Sequence, residues 1–278
     1  MKDFSLYGIF GFPLGHTLSP VMQESAARAL GLKVFYLPFE AGRKDFFRLM
    51  RRLPDLVLDG FNVTVPYKEE VCRFLDRLEP SARAIGAVNT VVRRGGHWTG
   101  FNTDVTGFLA ALEKEGKFNA RGKRVLVLGA GGSARAVAYA LAKRGAKAIT
   151  LVNRTKSRAR KIVKRFQRLF PGVEFRETGR GACPMGVDLV VNATSVGLRP
   201  RDRALVRPSD FSRRTLFMDL IYKPAETRLL RQARESGHRT LNGLGMLLYQ
   251  GAEAFRLWTG RRAPVSVMRA ALKEQGKN

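Results

Sequence analysis

Arg124-Val125-Leu126-Val127-Leu128-Gly129-Ala130-Gly131-Gly132-Ser133-Ala134 is the stretch that decides the fold. A short apolar run of strand length flows into glycines, then into a helical segment Arg135–Lys143, then into a second apolar run, Ala148–Val152. A strand, a glycine turn, a helix and a second strand make a βαβ unit. At its turn stands Gly129-x-Gly131-x-x-Ala134, the spacing suited to a dinucleotide pyrophosphate. The glycines permit a tight turn and close backbone approach, and Ala134 lets helix and strand pack closely. The helix N-terminus, with Gly129, Ala130, Gly131, Gly132 and Ser133 before or in its first turn, offers N–H groups to an anion. Further apolar runs at Leu189–Asn192 and Leu216–Asp219 extend the alternation, which implies a parallel sheet flanked by helices.

The end of the second strand selects the cofactor. An acid there would bind a ribose 2′-hydroxyl. This chain instead has Asn153-Arg154-Thr155-Lys156-Ser157-Arg158. A carboxylate would repel a 2′-phosphate, whereas Arg154, Arg158, Thr155 and Asn153 offer it charge and hydrogen bonds. The expected cofactor is NADP rather than NAD.

Outward from this unit, the first hundred residues also alternate. Phe4–Phe10 reads as a strand entering a Gly/Pro loop, with Ser19 as the cap of a helix over Pro20–Leu30. A strand at Val34–Phe39, an amphipathic helix near Lys44–Arg52 and a strand at Gly60–Val65 follow. A helix is expected from Pro66 or Tyr67. Ala87–Val92 and His97–Phe101 form a hairpin about Arg94-Gly95-Gly96. Leu244–Leu257 and Ser266–Lys273 are helical by pattern and have no strand beside them, so they must pack on a structure already built. The expected architecture is α/β: an N-terminal α/β substrate domain, residues 1–104, completed by C-terminal helices 243–278, plus a Rossmann-type doubly wound dinucleotide-binding domain, residues 105–242. A cleft is expected between them.

Composition narrows the class. A chain of 278 residues can bury a sizeable core. No stretch approaches the roughly 18 apolar residues of a membrane span. Met1–Pro20 is broken by Gly8, Gly11, Pro13 and Gly15 and does not read as a signal peptide. Cys72 and Cys183 have no metal or redox spacing, so reduced thiols in a cytoplasmic protein are expected, with no metal. Lys and Arg number 50 against 23 Asp and Glu, a formal +27. These cations are spread along the whole chain, with mild clusters at Arg154–Arg168 and Arg199–Arg214 and without a basic tail, zinc-finger spacing or RNP-like aromatic segment. That favours a solvated basic surface attractive to anions over a dedicated nucleic-acid reader.

Were the hydride of such a cofactor delivered to a ketone, a proton would have to reach the oxygen, so a donor would have to stand at the carbonyl. Lys68, just past a strand and a Pro, is the candidate; the N–H groups of the expected helix start would ease release of its proton. Asp104, after another strand, could pair with it.

Seven segments carry a resemblance in matching order: Gly11-Phe12-Pro13-Leu14-Gly15-His16-Thr17-Leu18-Ser19-Pro20, Asn62-Val63-Thr64-Val65-Pro66-Tyr67-Lys68, Gly86-Ala87-Val88-Asn89-Thr90, Gly100-Phe101-Asn102-Thr103-Asp104, Asn192-Ala193-Thr194-Ser195-Val196-Gly197, Asp219-Leu220-Ile221-Tyr222-Lys223-Pro224 and Asn242-Gly243-Leu244-Gly245-Met246-Leu247-Leu248-Tyr249-Gln250. Together they resemble the NADP-dependent shikimate dehydrogenase family over nearly the whole chain. The resemblance implies reversible NADPH-dependent reduction of 3-dehydroshikimate to shikimate, in the pathway to the aromatic amino acids. It assigns Lys68 and Asp104 to the reacting centre, with Lys68 as proton donor or as electrostatic stabiliser. It places Thr17, Ser19 and Tyr222 at the carboxylate, and Thr64, Asn89, Asp104 and Gln250 with Lys68 at the ring hydroxyls. Thr194, Ser195, Leu220 and Gly243 fall on the nicotinamide side, where Gly243 would let backbone approach the ring. Structural roles compete: Ser19 as a helix cap, Asn89 as a turn residue, Tyr222 and Gln250 as surface polar groups.

One residue departs from the family, which usually has Ser where Thr17 stands. Thr keeps the hydroxyl but adds a methyl and stiffens χ1, which bears on preference between ring acids. A quinate/shikimate dehydrogenase with broader substrate or cofactor use is the alternative enzyme. A pathway-sensing binding module and a nucleic-acid-binding protein are alternatives of other classes. The intact Lys68, Asp104 and phosphate loop weigh against the binding module. The expected state is a monomer or homodimer.

Overall fold

The computed structural model describes residues 3–15, 17–179 and 184–275; His16 and Cys183, named above, lie outside them. The chain divides into two compact units, one running up to Gly107 and resuming at Leu248, the other Phe108–Leu247. Both divides fall inside helices rather than at Asp104 and Gly243.

In the first unit the strands are β1 (Ser5–Gly11), β2 (Val34–Glu40), β3 (Gly60–Val63), β4 (Arg77–Leu78), β5 (Thr90–Arg94) and β6 (His97–Phe101). They form one mixed sheet in the order β2-β1-β3-β5-β6-β4. Pairs β1–β2 and β1–β3 are parallel, and β3–β5 and β5–β6 antiparallel. The β5–β6 hairpin turns on Gly95 and Gly96, at φ of 55° and 80°, a conformation glycine adopts without Cβ strain.

Helix α1 (Ser19–Ala29) corrects one expectation: Ser19 is its first residue, Leu18 holds the capping position, and no side chain caps it. Ser19 is buried. Helix α2 covers Arg43–Arg51, and α3 covers Pro80–Ile85, capped by the Glu79 carboxylate on the N–H groups of Ser81 and Ala82. The helix expected from Pro66 or Tyr67 is absent: the segment is a series of turns ending in a 3-10 turn at Val71–Phe74. The reason is a long-range bond. The Lys68 carbonyl accepts from Val88 N–H at 2.8 Å, so the sheet side of the chain takes up a group a helix would have used.

Helix α4 (Asp104–Ala110) passes into the second unit and continues as a π-turn at Ala111–Glu115. That unit is built on β7 (Arg124–Leu128), α5 (Gly132–Lys143), β8 (Ala148–Val152), α6 (Lys156–Leu169), β9 (Glu174–Thr178), β10 (Leu189–Asn192), β11 (Leu216–Asp219), α7 (Arg228–Glu235) and β12 (Thr240–Leu241). Its sheet is wholly parallel, in the order β12-β11-β10-β7-β8-β9. Counted from β7 as first, this is the doubly wound Rossmann order, reversing between β7 and β10. Strands β7, β8, β10 and β11 are buried almost throughout, as expected of a sheet covered on both faces.

Helix α8 (Leu244–Thr259) returns to the first unit, followed by α9 (Val265–Gln275). Gln23 of α1 donates to the Gly251 carbonyl at 3.0 Å, and the Trp258 indole donates to the Val91 carbonyl at 2.9 Å. A Cβ at Gly251 would stand 2.2 Å from the Met22 methyl, so this glycine is what lets α8 lie against α1. No helix among the described residues is long and apolar enough to cross a membrane.

Candidate active site

Lys68 and Asp104, 36 residues apart in sequence, meet in the first unit: Lys68 Nζ lies 2.6 Å from Asp104 Oδ2. Their side chains are 12% and 5% exposed. Removing two charges from water is costly unless they pair closely and the remaining lone pairs are satisfied. Asp104 meets that condition through its second oxygen, which accepts from Asn89 Nδ2 at 2.9 Å.

The orientation of Asn89 is itself fixed by its donors and acceptors. Thr103 N–H, which can only donate, points at Asn89 Oδ1 at 2.7 Å, so the amide NH2 must face the other way. It donates there to Asp104, to Gln250 Oε1 at 3.2 Å and to Thr103 Oγ1 at 3.0 Å. Behind Asn89 the same logic runs on. Asn62 Nδ2 donates to the Asn89 carbonyl at 2.9 Å and to Thr90 Oγ1 at 3.0 Å. Asn62 Oδ1 therefore accepts, and the Tyr36 hydroxyl donates to it at 2.7 Å. Burial pushes the Tyr36 phenol far above its ordinary value, opposed in part by a hydrogen bond with Ser19.

The structure thus brings Lys68, Asp104, Asn89 and Gln250 into one group and reaches Ser19 through Asn62 and Tyr36. Thr17 is half-buried, its hydroxyl 3.4 Å from the Ser19 N–H. Thr64 is half-buried beside β3, its methyl filling the space a Cβ at Gly11 would need. Tyr222 belongs to the second unit. Tyr36, Asn62 and Thr103 are not singled out by sequence. Asn62 and Thr103 stand within the quoted segments, but Tyr36 gives no local sign, because a strand tyrosine is ordinarily core.

In the second unit the glycine loop sits where sequence places it, between β7 and α5. Gly129 has φ of 119°, and a Cβ on it would lie 2.9 Å from the Ala193 carbonyl oxygen. A Cβ on Gly131, by contrast, meets nothing within 4 Å. The loop therefore leaves open space beside a helix start that no side chain caps, and a pyrophosphate could enter it. Ala134 is fully buried. Beyond β8, Arg154, Thr155, Lys156 and Arg158 are exposed, and Asn153 Nδ2 donates to the Thr155 carbonyl at 2.9 Å. Open loop, helix start and cationic end without a carboxylate together fit a 2′-phosphorylated dinucleotide.

At the ends of β10 and β11 a buried knot ties the following loops. Asn192 Nδ2 donates to both oxygens of Asp219 at 3.0 Å, the Ile221 N–H to Oδ1 at 3.0 Å, and the Thr227 hydroxyl to Oδ2 at 2.8 Å. Burial raises the Asp219 carboxyl above its ordinary range, with these hydrogen bonds opposing. The Thr194 hydroxyl donates to Asn192 Oδ1 at 2.7 Å, so it is already committed within its loop, whereas Ser195 is exposed. Gly243 has a structural necessity of its own: a Cβ there would be 2.0 Å from the Leu220 carbonyl oxygen.

The class is then defined: an α/β protein with a mixed-sheet unit holding a buried Lys–Asp pair and a doubly wound unit of dinucleotide-binding type. Family models described as the shikimate dehydrogenase substrate binding domain, shikimate/quinate 5-dehydrogenase and the shikimate 5′-dehydrogenase C-terminal domain match residues 9–91, 111–220 and 243–273. A shikimate dehydrogenase (NADP(+)) of Desulforamulus reducens is 42% identical over 280 residues, covering 96% of this chain and 94% of the relative. Among solved structures, a shikimate dehydrogenase in complex with NADP+ superposes with a TM-score of 0.90 at 36% identity, covering 98% of this chain and 96% of the other. The Thermus thermophilus shikimate 5-dehydrogenase, in complex with NADP(H) and shikimate, gives 0.85 at 37% identity, with coverages of 98% and 100%. The chain belongs to the shikimate dehydrogenase (NADP+) family.

Proposed function

We propose that this protein is an NADP-dependent shikimate dehydrogenase in which Lys68 and Asp104 act on the ring ketone. The observation that carries the reading is the 2.6 Å Lys68–Asp104 pair, sheltered and held from behind by Asn89. When bound, NADPH supplies the hydride. The chain supplies the rest: the Lys68 ammonium faces the carbonyl oxygen of 3-dehydroshikimate and either gives it a proton or stabilises its growing negative charge. Asp104 orients Lys68, and with Thr64, Asn89 and Gln250 addresses the ring hydroxyls. Thr17, Ser19 and Tyr222 bind the carboxylate. In the second unit, Gly129 to Ala134 cradle the pyrophosphate, and Asn153, Arg154, Thr155 and Arg158 hold the 2′-phosphate. Thr194, Ser195, Leu220 and Gly243 flank the nicotinamide, Thr194 through its backbone. The first unit with the C-terminal helices is the substrate domain, and the second the NADP domain.

The test is spectrophotometric: NADPH consumption on adding 3-dehydroshikimate, and NADP+ reduction by shikimate. Absence of turnover by folded protein with either ring acid and either cofactor would sink the reading. Quinate is the second substrate to run, because Thr17 stands where the family usually has Ser. A quinate rate equal to the shikimate rate would replace this reading with a quinate/shikimate dehydrogenase. A cytoplasmic setting and a monomeric or homodimeric state go with this proposal, the latter measured by sedimentation.

A further inference from the structure

The excess of positive charge is not evenly spread once α6 is wound. Its buried side is Ala159, Ile162 and Phe166, each fully inaccessible. About a third of a turn round from them, at spacings of three, four and three, come Arg158, Lys161, Arg165 and Arg168, all exposed, with exposed Arg154 just before the helix. That spacing puts the four on one line along an exposed flank of the helix. From Arg158 to Arg168 the line is about 15 Å long at the helical rise. From Asn153 to Val173 there is no Asp or Glu; the ion pair of Arg160 with Glu177 of β9 lies to the side. Like-charged neighbours at i,i+3 and i,i+4 repel each other, and a row of anions laid along this ridge would reduce that repulsion. No aromatic ring is offered beside it: Phe166 is buried, and Phe170 packs on Tyr139.

We propose that this exposed ridge of α6 is a binding surface for the phosphodiester backbone of duplex nucleic acid, independent of base sequence. The repeated cations match repeated phosphates, and without stacking rings there is no platform for the unstacked bases of a single strand. The ridge begins at Arg158, with Arg154 just before the helix, and both residues are proposed above for the 2′-phosphate. That much rests on the proposed function and makes duplex and NADPH compete for the first turn.

The experiment uses the full chain and a fluorescein-labelled DNA duplex of about 20 base pairs, read by anisotropy over about 50 to 200 mM salt. Duplexes of different sequence are expected to bind alike. Lys161→Glu/Arg165→Glu/Arg168→Glu should weaken binding at least about tenfold and flatten the log K against log salt slope by roughly 2 to 3, near 0.9 for each phosphate no longer neutralised. The Gln version of the same triple should move both in the same direction and serves if the Glu version does not fold. An equal charge change on α2, Lys44→Glu/Arg48→Glu/Arg51→Glu, should leave affinity within about twofold. Equal losses from the α2 and α6 triples, or no loss from either α6 triple, would overturn the proposal in favour of diffuse charge. Saturating NADPH should weaken duplex binding; ridge-dependent binding indifferent to bound NADPH would overturn the shared first turn. Failure of NADPH to bind, with ridge-dependent DNA binding intact, would fell the cofactor reading and leave the ridge standing.

Discussion

Alanine at Gly129 and alanine at Gly131 should fail in different ways. At Gly129 the backbone is left-handed, at φ of 119°, and the new methyl meets the Ala193 carbonyl oxygen at 2.9 Å. The cost falls on the fold, about 1–3 kcal/mol in denaturant unfolding. At Gly131 the methyl meets nothing of the protein, so stability should change by less than about 0.5 kcal/mol. NADPH affinity, followed by fluorescence titration, should nonetheless fall at least about tenfold, because the methyl occupies space proposed for the pyrophosphate. Unchanged affinity in Gly131→Ala would refute that placement. Lys68→Ala makes the complementary case in the first unit: kcat should drop on the order of 10²- to 10⁴-fold, while the dissociation constant for NADPH stays within about twofold. A matching loss of NADPH affinity would mean Lys68 serves the cofactor instead.

Between strands, the knot of Asn192, Asp219, Ile221 and Thr227 sets the loops that follow β10 and β11. Its one titrating member, Asp219, has a raised carboxyl because burial outweighs its hydrogen bonds. A group raised in the folded state holds its proton there more tightly than in the unfolded chain. Its contribution is therefore complete below the ordinary carboxylate value and is lost as pH rises through the raised one. Asp219→Asn removes that dependence and turns an N–H toward the donors around it, costing about 1–3 kcal/mol. The margin of wild type over Asp219→Asn, from urea midpoints, should be widest in acid and shrink as pH rises. A margin that widens with pH would contradict the assigned cause. Elements of this kind are legible in sequence where the signal is local. Ala148–Val152, Leu189–Asn192 and Leu216–Asp219 are short apolar runs and are strands at those bounds. The segment after Pro66 reads as a helix in sequence and is not one, because what governs it, the bond from Val88 to the Lys68 carbonyl, is 20 residues away. The site divides in the same way. Lys68 and Asp104 stand in recognisable segments, but the Tyr36–Asn62 support joins β2 and β3 across the intervening β1, a juxtaposition that no window of sequence displays.

At the scale of the whole molecule the formal charge of +27 acts on whatever approaches. Along the chain the cations are dispersed apart from mild clusters, one of them at Arg154–Arg168; winding α6 sets four of that cluster in a line. Both partners of the proposed reaction are anions, one a ring carboxylate and the other a phosphorylated dinucleotide. A field of one sign raises the encounter rate of opposite charges and is screened over about 10 Å at 0.1 M salt. The second-order constant kcat/KM for 3-dehydroshikimate should therefore fall several-fold between about 0.01 and 0.5 M salt, whereas kcat, set after binding, should change by less than about twofold. Salt can also act on protein stability, so the comparison needs an internal control. A neutral amide of the same ring ketone supplies it, since it meets the same site without the charge. Its kcat/KM should be low at every ionic strength, because an amide accepts more weakly than a carboxylate from the hydroxyls of Thr17, Ser19 and Tyr222, and nearly flat against salt. Parallel slopes for acid and amide would assign the salt effect to the fold or to the cofactor rather than to attraction of the ring acid. Steering by the surface would then be excluded as the use of the charge in this reaction.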